Sequence, residues 1–135
     1  LEIILTKNQK EELARHAESA VPNESCALLF GNQDGNRVVV SEIFLTENKD
    51  KSSIKFSISN EKLLEGYQYA ERKGLEVVGI FHSHPLSEAV PSDTDIRFMQ
   101  INPVVWIIFS NKLQNFEAYI LESDVMPVSI KIVES

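Results

Sequence analysis

The chain has 135 residues, 43% apolar and 24% charged, the balance of a folded globular protein rather than a disordered or fibrous one. Thirteen basic residues against twenty acidic ones give a net charge of -7 and no basic stripe, which argues against a nucleic-acid backbone as the main partner. Cys26 is the only cysteine, so intrachain disulfides, Cys-rich zinc sites and iron–sulfur clusters are excluded. No apolar run approaches the roughly 20 residues of a membrane span, and Leu1–Leu5 has neither the length nor the basic flank of a secretory signal. A cytoplasmic protein with no membrane partner is expected.

In chain order, residues 2–5 are β-prone and read as a strand. Thr6-Lys7-Asn8-Gln9 has the form of a capping box, which predicts a helix to about Ala20 with Leu13 and Ala17 on its inner face and Pro22 beyond its end. Ser25–Phe30 reads as a buried strand, Gly31–Asn36 as a hairpin-type loop and Arg37–Leu45 as a long strand. Thr46–Ser53 has the polar, charged composition of an exposed loop. Ile54, Phe56 and Ile58 then alternate with polar residues, as in a half-buried strand.

Ser59 or Asn60 caps a second helix carrying Leu63, Leu64, Tyr67 and Ala70, with Gly74 as its stop. The continuous apolar run Val77–Phe81 predicts a central strand. Ser92–Gln100 reads as a short helix, and Val104–Phe109, Phe116–Leu121 and Val128–Val133 as three more strands. The sum is about eight strands and two or three helices, with strands often following one another directly. An α/β fold is expected, with a mixed, largely antiparallel sheet flanked by helices and a single domain over residues 1–135.

His82 and His84 leave the central strand two residues apart, so in extended backbone both imidazoles share one face. Alone, the pair stands evenly between metal ligands and exposed or hydrogen-bonded histidines. With Ser92 as N-cap, Asp95 takes the third helical position, beside the loop that returns from His84. Alone, that is only a helix start with its acid favoured by the helix dipole. Glu88 and Asp93 lie near the same loop, but the spacing favours Asp95. Two imidazoles and one carboxylate are the donor set of a catalytic zinc, with a fourth position for a water whose pKa falls towards about 7. Glu24, at the head of the strand Ser25–Phe30, is the candidate base; its plain alternative is an exposed acid before a strand. Rival motifs fail. There is no His-Glu-x-x-His helix, the deaminase Pro-Cys-x-x-Cys needs a second cysteine, and Leu86 stands where His-x-His-x-Asp-His needs Asp.

His82-Ser83-His84-Pro85, followed by Ser92 and Asp95, resembles the signature of the JAMM (MPN+) zinc metalloproteases in their compact archaeal or bacterial form. The upstream stretch Pro22-Asn23-Glu24-Ser25-Cys26-Ala27-Leu28-Leu29-Phe30-Gly31 is similar to that family's Glu segment, with Ala27 where Gly is common. The resemblance implies an MPN-like, cytidine-deaminase-like fold. It implies an isopeptidase or peptidase acting at the C-terminus of ubiquitin-like modifier or sulfur-carrier proteins, free or conjugated to other proteins. One zinc per chain, with a bound water, would be held by His82, His84 and Asp95. Glu24 would take the proton of that water and pass it to the leaving amine, and Ser92 would donate a hydrogen bond to the oxyanion. Thr46–Ser59 lies where larger members carry an insertion and is expected to pair with the modifier's extended tail as an added strand. A homodimer is left open.

Two readings compete. Cys26, two residues from Glu24 and on the same strand face, is a conceivable nucleophile with His82 or His84 as its base, although a lone Cys in an apolar strand is more often a small core residue. The other is a non-catalytic MPN-type scaffold or binding module, which the full ligand set weighs against. RadC-like proteins share the His-x-His-Pro stretch, but the Glu24 segment fits them less well. His16 is expected on the surface or at a helix end, and Trp106 and Phe109 in the core.

Overall fold

The computed structural model describes residues 1–134. In chain order the elements are β1 (Glu2–Thr6), α1 (Lys7–Ala20), β2 (Cys26–Asp34), β3 (Arg37–Thr46), α2 (Asn60–Arg72), β4 (Glu76–His84), α3 (Asp93–Ile101), β5 (Val105–Ser110), β6 (Asn115–Leu121) and β7 (Val125–Val133).

The helices begin where side chains satisfy their open N–H groups. The Gln9 N–H donates to Thr6 Oγ1 at 3.0 Å and the Thr6 N–H donates to Gln9 Oε1 at 2.9 Å, the reciprocal pair expected from the sequence. Gln9 Nε2 also donates to the Val40 carbonyl at 3.1 Å and so pins the start of α1 to β3. Ser59 caps α2 through the Lys62 N–H at 3.2 Å. Ser92 caps α3 through the Asp95 N–H at 3.1 Å.

The seven strands form one sheet in the order β1-β3-β2-β4-β5-β6-β7, and β7 pairs back with β1 to close it into a barrel. The β2–β3, β2–β4, β5–β6 and β6–β7 pairs are antiparallel, whereas β1–β3, β1–β7 and β4–β5 are parallel. The mixed α/β character agrees with the sequence reading. The closure does not follow from it, because β1–β7 joins the two ends of the chain and no local pattern reports that pairing.

Two expectations are corrected. The segment Ile54–Ile58 is not a strand: Ile54 and Phe56 would share one face of a strand, yet Phe56 is buried and Ile54 is 75% exposed, so the apolar alternation of the sequence is not matched by alternating burial. Its backbone is held by the side chain of Asn48 rather than by a neighbouring strand. The expected loop Gly31–Asn36 is mostly strand, since β2 runs on to Asp34. The connection narrows to Gly35, at φ 64, and Asn36, a two-residue hairpin with glycine at the position that needs positive φ.

Burial is divided between the two faces of the sheet. Leu13 and Ala17 of α1 join Ile3, Leu5, Ala27, Leu29, Phe81 and Ile107 in one cluster. Ala70 of α2, Met99 of α3 and Phe56 join Leu28, Phe30, Ile80 and Trp106 in the other. Strands β2 and β4 are therefore covered on both faces, which is why they read as continuous apolar runs. Each large side chain fully buried here stabilises the fold by about 1.5–3 kcal/mol. Trp106 and Phe109 are core residues, as expected. Among the described residues, no helix is long and apolar enough to cross a membrane.

Candidate metal centre

Strand β4 ends at His84, flanked by β2 and β5, and carries His82 and His84 out of the core on one face. Asp95 sits in the first turn of α3, where the Ser92 cap fixes it: the Ser92 N–H donates to Asp95 Oδ2 at 2.9 Å. That same oxygen lies 3.1 Å from His82 Nε2 and 3.0 Å from His84 Nε2, and the two imidazole nitrogens are 3.0 Å apart. The helix start and the candidate ligand position, which are compatible in the sequence, are one arrangement in the structure.

The donor atoms suit a cation. Two imidazole nitrogens and a carboxylate oxygen converge as a triangle with edges of 3.0–3.1 Å. Bonds of about 2.0–2.1 Å in a tetrahedral site would put ligands about 3.3 Å apart, so only a slight spreading separates this triangle from a zinc-binding face. The His84 Nδ1–H donates to the Glu88 carbonyl at 2.8 Å, so in the neutral ring the lone pair is on Nε2, the nitrogen that faces the centre. His82 is held differently. Its ring stacks on Phe56 at 4.8 Å and meets Trp106 edge-on at 5.7 Å, while its Nδ1 has no partner among the described residues.

Glu24 lies just before β2. The register pairs Cys26 with His82, and the Ser83 N–H donates to the Ser25 carbonyl at 3.1 Å, so continuing one step further sets Glu24 opposite His84. Ser83 supports this approach from beneath, its Oγ accepting from the Ser25 N–H at 2.8 Å. Glu24 is 3% exposed, and its Oε1 has no partner among the described residues. Burial pushes its carboxyl up to about 8, with His84 pulling it down and Asp95 pushing it up. Burial alone would also raise Asp95, but the hydrogen bonds of His82 and His84 hold it far below the usual carboxylate range. His82 is lowered by burial against the pull of Asp95. For His84 burial works downward too, and the hydrogen bonds to Asp95 and the Glu88 carbonyl outweigh it, leaving it raised.

Ser92 is exposed at the rim. Its Oγ accepts from the Asp95 N–H, so its own proton is free to donate. The structure thus brings His82, His84 and Asp95 together, with Glu24 and Ser92 beside them. Glu88 contributes its backbone carbonyl rather than its carboxylate. Asp93 is an exposed residue of the first turn of α3.

Asn48 is the residue that sequence reasoning misses. The composition of Thr46–Ser53 points to an exposed loop, yet Asn48 is buried, and its Nδ2 donates to the carbonyls of Glu24 (3.1 Å), Ser52 (3.3 Å) and Lys55 (3.0 Å). Its Oδ1 accepts from the N–H groups of Asp50 (3.0 Å) and Ser57 (3.2 Å). One carboxamide therefore ties Glu24 to the segment that lays Phe56 on His82. Asn is common in turns, and nothing local marks this one. His16, expected on the surface or at a helix end, is half-buried: its Nε2–H reaches the Cys26 carbonyl at 2.9 Å and the Thr46 carbonyl at 3.1 Å, bridging β2 and β3.

Cys26 is fully buried, its Sγ within 3.2 Å of Thr46 Oγ1, and burial pushes its thiol up to about 11. A thiol in that state is a packing group, because the thiolate is the nucleophile.

Residues 6–121 match the family of prokaryotic homologs of the JAB domain, Prok-JAB. The chain is 36% identical over 110 residues to a desampylase of Pyrococcus furiosus, covering 82% of this chain and 75% of that protein. It is 31% identical over 88 residues to a probable TtuB-protein conjugate cleaving protease of Thermus thermophilus, covering 64% of this chain and 56% of that protein. A solution structure of a Desulfitobacterium hafniense protein superposes with a TM-score of 0.88 at 31% identity, covering 100% of this chain and 94% of that one. With the converging histidines and aspartate, a match over most of its length and a shared fold, the chain belongs to the Prok-JAB family.

Proposed function

We propose that this protein is a zinc-dependent isopeptidase, built on one MPN-type, cytidine-deaminase-like domain. It hydrolyses bonds at the C-terminus of ubiquitin-like modifier or sulfur-carrier proteins. The observation that carries the reading is the convergence of His82 Nε2, His84 Nε2 and Asp95 Oδ2 within 3.0–3.1 Å of one another beside a buried Glu24. The relatives named for desampylation and for cleaving modifier conjugates support the substrate class.

Two imidazoles and a carboxylate suit zinc better than a hard cation that prefers all-oxygen ligands. Bound zinc supplies Lewis acidity and water made acidic enough to attack near neutral pH. His82, His84 and Asp95 would hold it, with the Glu88 carbonyl orienting His84. Glu24, set opposite His84 with no partner at Oε1 among the described residues, would take a proton from the attacking water and give it to the leaving amine. The free Oγ–H of Ser92 donates to the oxygen that becomes negative in the tetrahedral state. Phe56 and Trp106 exclude water from the His82 side.

The modifier's tail lies along the segment 53–58. The Phe56 N–H and carbonyl have no hydrogen-bond partner among the described residues, whereas those of Ser57 are taken by Asn48 and Lys49. An extended tail adds to the free groups as a strand. The adjoining groove, walled by Phe56, Ile58, Phe98, Ile101 and Trp106, receives its apolar side chains.

Elemental analysis of the purified chain tests the metal. About one zinc per chain is expected in the wild type and almost none in His84→Ala. No zinc after reconstitution of the wild type would overturn the reading. A second measurement separates zinc from thiol chemistry. Iodoacetamide at about pH 7.5 is expected to leave cleavage of a modifier conjugate unchanged, because Cys26 is buried and its thiol is pushed up to about 11. A zinc chelator is expected to abolish cleavage. The reverse pattern would reinstate Cys26.

A further inference from the structure

The loop of residues 85–92 leads from His84 to α3, so its path sets how Asp95 meets the two histidines. Its side chains anchor it poorly. Leu86 is 67% and Val90 53% exposed, Ser87 and Glu88 are exposed, and of residues 86–90 only Ala89 is buried. Its hold on the protein is instead a row of three successive carbonyls, each accepting from a side chain of the sheet. Ser110 Oγ donates to the Ser87 carbonyl at 2.7 Å, His84 Nδ1 to the Glu88 carbonyl at 2.8 Å and the Tyr119 hydroxyl to the Ala89 carbonyl at 2.7 Å.

The outer two donors are well defined. Ser110 is fully buried on β5, in register with His84, and its Oγ accepts from the Leu113 N–H at 3.0 Å, which leaves its proton for Ser87. Tyr119 stands on β6 opposite Trp106, and its phenol has the Ala89 carbonyl as its partner. The middle contact decides the state of the site. While the Glu88 carbonyl receives the Nδ1 proton, Nε2 is the nitrogen that carries the lone pair of the neutral ring and faces the centre; if the loop drifts, that preference is lost.

We propose that Ser110 and Tyr119 are positioning residues of the metal centre. They clamp the loop from both sides of Glu88, keep its carbonyl on His84 Nδ1 and so preset the histidine for zinc. The inference rests on the reading of His82, His84 and Asp95 as zinc ligands. Neither residue touches the centre, and both act through a backbone carbonyl. Outer partners of metal-bound histidines typically change metal affinity by about 10–100-fold when removed.

The test is zinc affinity of the full chain, measured by competition with a chelating dye, for wild type, Tyr119→Phe and Ser110→Ala. Nitrogen-15 NMR of the imidazoles in the metal-free proteins follows the His84 Nδ1–H. Tyr119→Phe keeps the ring and loses only the hydroxyl, so it decides the matter even if Ser110→Ala folds poorly. Zinc binding about 10-fold weaker in Tyr119→Phe, with the Nδ1–H signal exchanging faster than in wild type, is the expected result. Wild-type zinc affinity and an unchanged Nδ1–H signal, whatever happens to thermal stability, would overturn the proposal and leave these hydroxyls as ordinary fold contacts. Failure of the wild type to bind zinc at all would overturn the metal reading, and this proposal with it.

Discussion

Glu24→Gln is expected to retain zinc, to lose about 100- to 10,000-fold of the rate of conjugate cleavage, and to make the metal-free chain more stable at alkaline pH. The first two effects follow from position. Glu24 is not one of the three converging ligands, so the amide leaves them in place, but an amide cannot take a proton from water at neutral pH. The third follows from burial. The carboxyl stands at about 8 in the folded chain against an ordinary 4.5, so between those values the folded state keeps a proton that the unfolded state has released. The wild-type metal-free chain therefore loses stability as pH rises from about 4.5 to about 8, and the loss is complete above that. A shift of this size corresponds to roughly 2–5 kcal/mol. The glutamine variant lacks that slope, although its buried amide, inheriting the unpartnered position of Oε1, costs about 1–3 kcal/mol at every pH. Urea unfolding of chelator-treated protein at about pH 5 and about pH 9 checks this, since the two values lie on either side of most of the titration. The Glu24→Gln chain should be no more stable than wild type at the acid value and more stable at the alkaline one. Equal urea midpoints at both pH values would show that the carboxylate is not strained by burial, and full turnover would remove Glu24 from the chemistry.

That trade of stability for reactivity is partly legible in the sequence. An acid at the head of an apolar strand is out of place for packing, and His-x-His after a continuous apolar run fixes two side chains to one face by the period of the strand alone. Asp95 is legible for the wrong reason as well as the right one: the spacing that makes Ser92 a cap is the spacing that sets Oδ2 between the histidines. Local periodicity also marks the helices and most strands. It fails at Ile54–Ile58, where Phe56 alone is buried, lying on His82 and Trp106 rather than against a strand neighbour, while Ile54 stays exposed. Asn48, Ser110 and Tyr119 stay hidden because their partners lie far along the chain or in backbone carbonyls, and neither residue type nor spacing encodes those. The closing β1–β7 pair is hidden for the same reason.

Gly31→Ala is expected to destabilise the fold by about 4 kcal/mol or more, enough to leave a large part of the chain unfolded in a protein of marginal stability. The cause is a close approach, not a turn. A Cβ on Gly31 would lie 1.8 Å from the Val39 carbonyl oxygen, 2.9 Å from its carbon and 3.1 Å from Val40 Cα, all backbone atoms that cannot swing aside. The approach arises where β2 is irregular on both edges. Against β3 the register shifts between Phe30 and Gly31, and against β4 it shifts between Leu29 and Phe30. Such bulges increase the local bend of a strand, and here they fall on the strand shared by both pairings as the sheet curls towards closure. Relieving the clash means parting β2 from β3 and disturbing the strand whose other end presents Glu24 to the histidines, so zinc affinity of any folded fraction should fall together with stability. Gly35→Asn is the control. Gly35, unlike Gly31, has a positive φ, but a Cβ there meets nothing within 4 Å, and Asn tolerates the left-handed region, so a loss below about 1 kcal/mol is expected. Chemical denaturation of the two variants reads both effects, and a Gly31→Ala chain as stable as Gly35→Asn would mean that β2 and β3 do not meet as closely as the backbone indicates.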